Sequence, residues 1–247
     1  MRNQDKWQPS KYVHKKGKLV ASRDPREVGM GSRLIADLIA GVYDTGLKQH
    51  ARGRLLDLGC GKVPLYEAYR GFVAETVCVD WANTLHPNEY LDYELDLTKR
   101  LPFKDGEFDT IVLSDVLEHI PVPDQLWAEM ARILAKKGKI IMDAPFYYWI
   151  HEAPHDYYRY TEFALRRFVE TSGLNLVQLQ PLGGAPEVMA DLFAKNIVRL
   201  RLLGRPLARF SQWFTLRFVR SRFGRKASAS TGATFPLGYF LVAEKPE

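Results

Sequence analysis

Cysteine is scarce in this chain: Cys60 and Cys78 are the only two among 247 residues. Two thiols cannot staple a protein of this size, which excludes a disulfide framework and points to a reducing compartment. Uninterrupted apolar runs of about eighteen residues are missing too, which excludes a spanning helix on length. The opening MRNQDKWQPSKYVHKKGK has no apolar stretch of the kind a secretory signal needs, so the expected location is cytoplasmic. Acidic residues are nearly absent from one late segment. Residues 182–234 hold ten Lys and Arg against only Glu187 and Asp191, in a chain whose net charge is +6. The remainder is slightly acidic, so a chain basic throughout is excluded and the late segment alone seeks an anionic surface. What is present is ordinary: 46% apolar and 26% charged residues, a globular composition long enough to bury one α/β core.

Residues 1–31 are polar, basic and broken by Gly and Pro, and read as an extended arm or lid. The main domain is expected over 32–247. SRLIADLIAGVYDTGLKQH, from Ser32, spaces its apolar residues as a helix behind an N-cap serine. RLLDLG (54–59) is a short apolar strand closed by glycine, and a helix is expected near Pro64–Tyr69. Further strands are predicted at 75–81, near 91–95, at 108–116, 139–145, 174–182 and 236–246. PDQLWAEMARILAKKG (123–138) carries helix start and stop signals, and Thr161 caps a helix over 161–173. Strands alternating with helices predict an α/β, doubly wound, mainly parallel sheet, which binds ligands at the carboxyl ends of its strands. A helical insertion over about 183–234 separates the last two strands.

LLDLGCGKVPLY places Asp57, Gly59 and Gly61 where the first core strand turns into its helix. Glycine there lets backbone turn sharply and approach a ligand closely. Asp80 ends the next strand, where a carboxylate suits the two hydroxyls of a ribose. Asp96 follows at the third, where it can accept from an exocyclic amine. A nicotinamide dinucleotide site predicts G-x-G-x-x-G, and Pro64 breaks that pattern. The run LLDLGCG, VCVD, ELDLTKRLPFKDGEFDTIVLSDVLEHI and EMARILAKKGKIIMDAP resembles class I S-adenosylmethionine-dependent methyltransferases, in particular those acting on small molecules and glycans. The resemblance covers about 33–181 and the final strand. It implies a seven-stranded Rossmann-like sheet whose last strand is antiparallel. It also implies that Asp57, Gly59, Cys60 and Gly61 line the methionine part of S-adenosyl-L-methionine, Asp80 and Trp81 the ribose side, Asp96 and Leu97 the adenine, and Ser114 the sulfonium. The chain departs from the family at Val63, where a third glycine is frequent.

Methyl transfer to a hydroxyl needs alignment and is helped by a general base. His119, in LEHIP after the fourth core strand, is one candidate. YYWIHEAPHDYYRYT (147–161) supplies others, and it contains the letters H-E-x-x-H of zinc proteases. That motif works only on a helix, and Pro154 between the histidines removes a backbone donor and disfavours helical angles at Ala153. With no distant third ligand evident in the sequence, no metal is expected. The stretch is instead a loop over the active site: His155 and Asp156 are further catalytic candidates, and His151, Tyr157, Tyr158 and Arg159 candidate acceptor contacts. Aromatic faces with polar tips suit a sugar, and HDYYRYT is similar to loops in methyltransferases of surface-polysaccharide biosynthesis.

Residues 187–226 read as two helices broken at Gly204-Arg205-Pro206, mixing arginines with Phe and Trp. Such a pair can lie on an anionic membrane surface, or cover the sheet edge, or form a dimer face; no oligomeric state follows. Nucleic acid is disfavoured because the charge is confined to this insertion. The expected function is O-methylation of a sugar in a glycan or glycolipid precursor at the cytoplasmic membrane. RNA methylation and a non-catalytic S-adenosylmethionine-binding scaffold are the alternatives.

Overall fold

Strand β1 (Tyr12–Lys15) pairs antiparallel with β2 (Lys18–Ala21), so the N-terminal residues form a hairpin, not the extended arm expected. Tyr12, Leu19 and Ala21 are buried with Trp7 and Val28 among residues of helix α1 (Arg33–His50), and this burial folds the arm down. In this computed structural model residues 1–82 and 89–247 are described.

The chain then runs β3 (Arg54–Leu58), α2 (Tyr66–Tyr69), β4 (Glu75–Asp80), β5 (Tyr93–Glu94), β6 (Phe108–Ser114), α3 (Pro123–Ile133) and β7 (Leu134–Pro145). It continues through α4 (Glu162–Thr171), β8 (Asn175–Leu182), three helices α5 (Ala185–Ile197), α6 (Gly204–Arg220) and α7 (Arg222–Thr231), and β9 (Gly238–Glu244). Seven strands form one sheet in the order β5-β4-β3-β6-β7-β9-β8. All pairs are parallel except those of β9, which runs antiparallel to both β7 and β8. The expected mainly parallel sheet with an antiparallel last strand is therefore present. Strand order reverses between β3 and β6, so ligand-binding loops gather beyond the carboxyl ends of β3, β4 and β6. Alternating strand residues feed two cores. Leu56, Leu58, Ile111 and Leu113 join Trp127 and Phe168 on one face; Leu55, Val112 and Ile141 join Tyr43 and Phe240 on the other.

Tertiary pairing redraws several expected elements. α3 stops at Ile133, and Leu134, Ala135, Lys136 and Lys137 belong to β7, because buried Leu134 pairs with Phe108. A register shift follows, with Lys137 at φ 59 and Lys139 opposite Thr110. Ser32 makes no side-chain cap on α1; the Leu34 amide instead donates to Gln212 Oε1 of α6 at 2.8 Å. Thr161 does cap α4, its Oγ1 accepting from the Ala164 amide at 3.3 Å. The insertion holds a third helix, because Ser221 turns the chain and caps α7 through the Gly224 amide.

Candidate functional site

The turn after β3 is drawn back over β4: the Gly59 and Cys60 amides both donate to Val79 O, at 2.8 and 3.0 Å. A Cβ on Gly59 (φ +69) would lie 2.5 Å from Val116 Cγ2, so only glycine passes there. At Gly61 (φ +49) a Cβ would meet no atom within 4 Å, which leaves open space in front of the backbone. Val63 keeps the left-handed turn at φ 50 although glycine is absent, and its fully buried side chain holds it there. Trp7 Nε1 donates to Val63 O at 3.1 Å, tying the N-terminal arm to this turn. Asp80, at the end of β4, accepts from the Gly61 amide through Oδ2 and the Trp81 amide through Oδ1, each at 2.8 Å. It fixes the glycine turn against the next strand end.

Behind that turn the polar groups are buried. Asp57 lies inside β3, accepts from the Tyr69 hydroxyl at 2.9 Å, and burial pushes its carboxyl up to about 7, with Asp80 adding to the shift. The Cys60 side chain is buried against that of Cys78, which raises its thiol pKa, so the turn presents Cys60 backbone and not sulfur. Asp96 is engaged by its own turn, accepting from the Thr98 amide at 2.9 Å and hydroxyl at 2.6 Å, and these bonds lower its pKa. Leu97 packs into the core.

Beyond β6 and β7 a second group of polar residues assembles. A cavity of about 270 Å³ is lined by Lys11 and Glu27 of the arm, Ser32, Asp115, Glu118, Tyr148, His151 and Glu152 among others. Asp115, directly after Ser114, adopts φ 53 and meets Lys11 Nζ at 2.5 Å. Burial works to raise the Asp115 pKa, and the Lys11 ammonium outweighs it and holds the carboxylate ionised. Residues 148–161 are turns and bends without helix, so the zinc-protease geometry of H-E-x-x-H does not form. Arg159 clamps this loop: it meets both oxygens of Asp156, at 2.6 and 2.8 Å, and donates to the Tyr148, Trp149 and Tyr158 carbonyls. The paired guanidinium lowers the Asp156 pKa well below the carboxylate range. Asp156 also accepts from the His151 amide at 2.8 Å. These contacts make Asp156 and Arg159 positioning residues, correcting the expectation of a base and a substrate contact; Asp156 is a poor proton acceptor at neutral pH.

The same loop meets the segment that follows β6. Amides of Tyr157 and Tyr158 donate to Glu118 O at 2.9 and 3.3 Å, and His119 Nδ1 bonds His155 O at 2.8 Å. A carbonyl can only accept, so Nδ1 carries a proton, and Nε2 of His119 faces Glu118 Oε1 at 3.8 Å and Glu152 Oε2 at 3.9 Å. His155 turns its ring edge-on to Trp81, with centroids 5.0 Å apart, joining the β4 end to the loop. Tyr157 and Tyr158 are exposed at the rim, Tyr158 donating to Pro121 O at 2.9 Å.

Residues 56–142 match the family model described as a methyltransferase domain. A putative methyltransferase of Haloferax volcanii, solved with its Trm112 activator, superposes at TM-score 0.55. The two share 18% identity, and the match covers 91% of this chain and 95% of that one. The chain has the fold of these methyltransferases. A SAM-dependent methyltransferase of Archaeoglobus fulgidus has the same fold at TM-score 0.53 and 16% identity, over 83% of this chain and 93% of that one. A ubiquinone biosynthesis O-methyltransferase of Xanthomonas euvesicatoria is 28% identical over 102 residues, 37% of this chain and 43% of its own length. The chain thus spans less than half the length of the first curated relatives it matches, at 39% and 43%.

S-adenosyl-L-methionine, the cofactor expected from the sequence, passes a physical test at this turn: Gly61 offers a cradle a Cβ would fill, and Asp80 a buried carboxylate beside it. Trp81 supplies an aromatic edge at the same place, and Ser114 closes β6 nearby in the fold. Lys11, Asp115, Glu118 and Glu152 were not singled out from the sequence. Glu118 stands next to His119 in the quoted LEHIP, a signal that was available; Lys11 lies over a hundred residues from Asp115 and had none.

Proposed function

We propose that this chain transfers a methyl group from S-adenosyl-L-methionine to a hydroxyl of a small polar acceptor held in the 270 Å³ cavity. The observation that carries this is the cavity's lining: carboxylates, an imidazole, an ammonium and tyrosine, at the carboxyl end of β6, inside a methyltransferase domain. The cofactor supplies an electrophilic methyl. The chain's own residues align and desolvate: the glycine turn and Asp80 orient one partner, while the arm and the 148–161 loop close over the other. A hydroxyl is a weak nucleophile, and the Glu118, His119, His151 and Glu152 cluster is where its proton would leave. The arm acts as a lid through Lys11–Asp115 and Trp7–Val63.

A sugar of a glycan or glycolipid precursor is the acceptor this polar lining favours. A quinone-like phenol is the second reading, drawn from the name of the Xanthomonas relative. Calorimetry with the cofactor tests the first step: Asp80→Ala should weaken binding by about 10–100-fold, the scale of a lost charged hydrogen bond, while a change at exposed Phe163 should not. Transfer of labelled methyl to polyhydroxylated or to phenolic acceptors then separates the two classes. Bound cofactor with no labelled product in a cell extract would favour the scaffold reading.

We further propose that α5–α7 rest on an anionic membrane surface. α6 is inverted for a water-facing helix: it buries Ala208, Gln212 and Thr215 and exposes Phe210, Trp213 and Phe214. Arg209, Arg217 and Arg220 flank these rings, and an apolar patch of that kind needs a cover. No helix among the described residues is long and apolar enough to cross a membrane.

A further inference from the structure

Glu118 is fully enclosed, and neither of its carboxylate oxygens has a hydrogen-bond partner. A bare carboxylate out of water is strongly disfavoured unless a cation compensates it. Two imidazoles face it: His151 Nε2 stands 3.6 Å and His119 Nε2 3.8 Å from Glu118 Oε1. Those separations are too long for hydrogen bonds. They match two ligands sharing one ion, since donors about 2.1 Å from a tetrahedral centre lie roughly 3.4 Å apart. One ligand atom from each of Glu118, His119 and His151 lies within 4.8 Å of the others.

The far side of one ring is held, and the far side of the other faces a carboxylate. His119 Nδ1 donates to His155 O at 2.8 Å, and His151 Nδ1 lies 3.3 Å from Asp156 Oδ2. The acceptor behind His119 fixes its proton on Nδ1, the arrangement that backs metal-bound histidines, while Asp156 stands behind His151 without a hydrogen bond to the ring; both Nε2 atoms face Glu118. Asp156 is in turn clamped by Arg159. Glu152 Oε2, 3.9 Å from His119 Nε2, brings a further oxygen to the rim.

From this geometry we propose that Glu118, His119 and His151 bind a divalent first-row transition cation of the zinc, manganese or iron(II) class. Two imidazoles with one carboxylate favour these ions over magnesium or calcium, which prefer all-oxygen shells. Two letters of H-E-x-x-H, His151 and Glu152, thus reach a metal site, but with partners supplied by the end of β6 and not by a helix. Glu118, His151 and Glu152 line the cavity, so the ion's open positions face it. Its role there rests on the proposed methyl transfer: it acidifies an acceptor hydroxyl. The proton passes to Glu152, the oxygen pair forms the O–CH₃ bond, and the breaking S–CH₃ bond leaves its pair on sulfur.

The test needs no turnover. Untagged full-length protein, stripped with EDTA, is titrated calorimetrically with zinc, manganese and magnesium chlorides, and its cobalt(II) form is examined for visible d–d absorption. Wild type should take one equivalent of a transition ion and show the cobalt bands. Glu118→Gln and His151→Gln should weaken binding by at least a hundredfold, and Asp156→Asn by about 10–100-fold. S-adenosyl-L-methionine titrated into the same samples verifies that each is folded. Cofactor binding without transition-ion binding would overturn the site and leave the methyltransferase reading intact. Equal metal binding by the variants, or a preference for magnesium, would also overturn it.

Discussion

Burial pushes the carboxyl of Asp57 up to about 7, where an exposed aspartate has a pKa of about 3.9. The folded state therefore holds a proton there that the unfolded chain has released across that interval. Asp57's contribution is complete below pH about 4 and is lost as pH rises toward 7, at up to roughly 4 kcal/mol. Asp57→Asn keeps an acceptor for Tyr69 and has no proton to lose. Urea unfolding at pH 5 and pH 8 should show the variant's stability falling less across the interval than wild type's; an unchanged difference would count against a protonated Asp57. Arg159 makes a second residue-scale case. Its removal leaves Asp156, nearly enclosed, without its bidentate partner, a cost of roughly 2–4 kcal/mol. Arg159→Ala should raise hydrogen exchange across 148–160 with little change in the strands, whereas a solvated arginine would leave exchange as it was.

At the scale of elements, α6 and α1 are joined by one amide side chain. Gln212 accepts from the Leu34 amide at 2.8 Å and donates to Met30 O at 2.8 Å and Ala208 O at 3.1 Å. The glutamine thus caps a neighbouring helix that its own serine does not cap. Gln212→Ala strands a buried amide and carbonyl, and should destabilise the protein by about 1–3 kcal/mol, read as a lower thermal midpoint. Gln212→Glu retains the acceptor for Leu34 but gives up the donors, and should fall between the two. β7 shows the same override. Lys-Lys-Gly is a fair helix stop in isolation, yet Leu134 gains a place in the sheet by leaving α3 earlier.

Across the whole molecule, positive charge and exposed aromatics coincide on α5–α7. If this face meets lipid, the protein should co-sediment with vesicles containing phosphatidylglycerol and less with neutral ones, and salt should weaken binding. Phe210→Ser with Trp213→Ser should reduce that sedimentation while leaving cofactor binding intact. Equal binding to neutral vesicles would remove the electrostatic part of the argument.

The sequence by itself determined the alternation of strands and helices, the antiparallel closing strand, and the glycine turn after β3 with the acid that ends β4. Those features are local: a glycine turn or an acid at a strand's last residue is legible because its neighbours in sequence are its neighbours in space. Asp80 and Gly61 needed only adjacent strands to meet. Only the tertiary structure decided the acceptor end. Lys11 reached Asp115, Gln212 reached Leu34, and His151 reached Glu118, across gaps no periodicity spans. It also decided what the histidines of the loop can do. A proline could be read as breaking a helix, but the loop meets Glu118 only because sheet order sets the segments after β6 and β7 side by side.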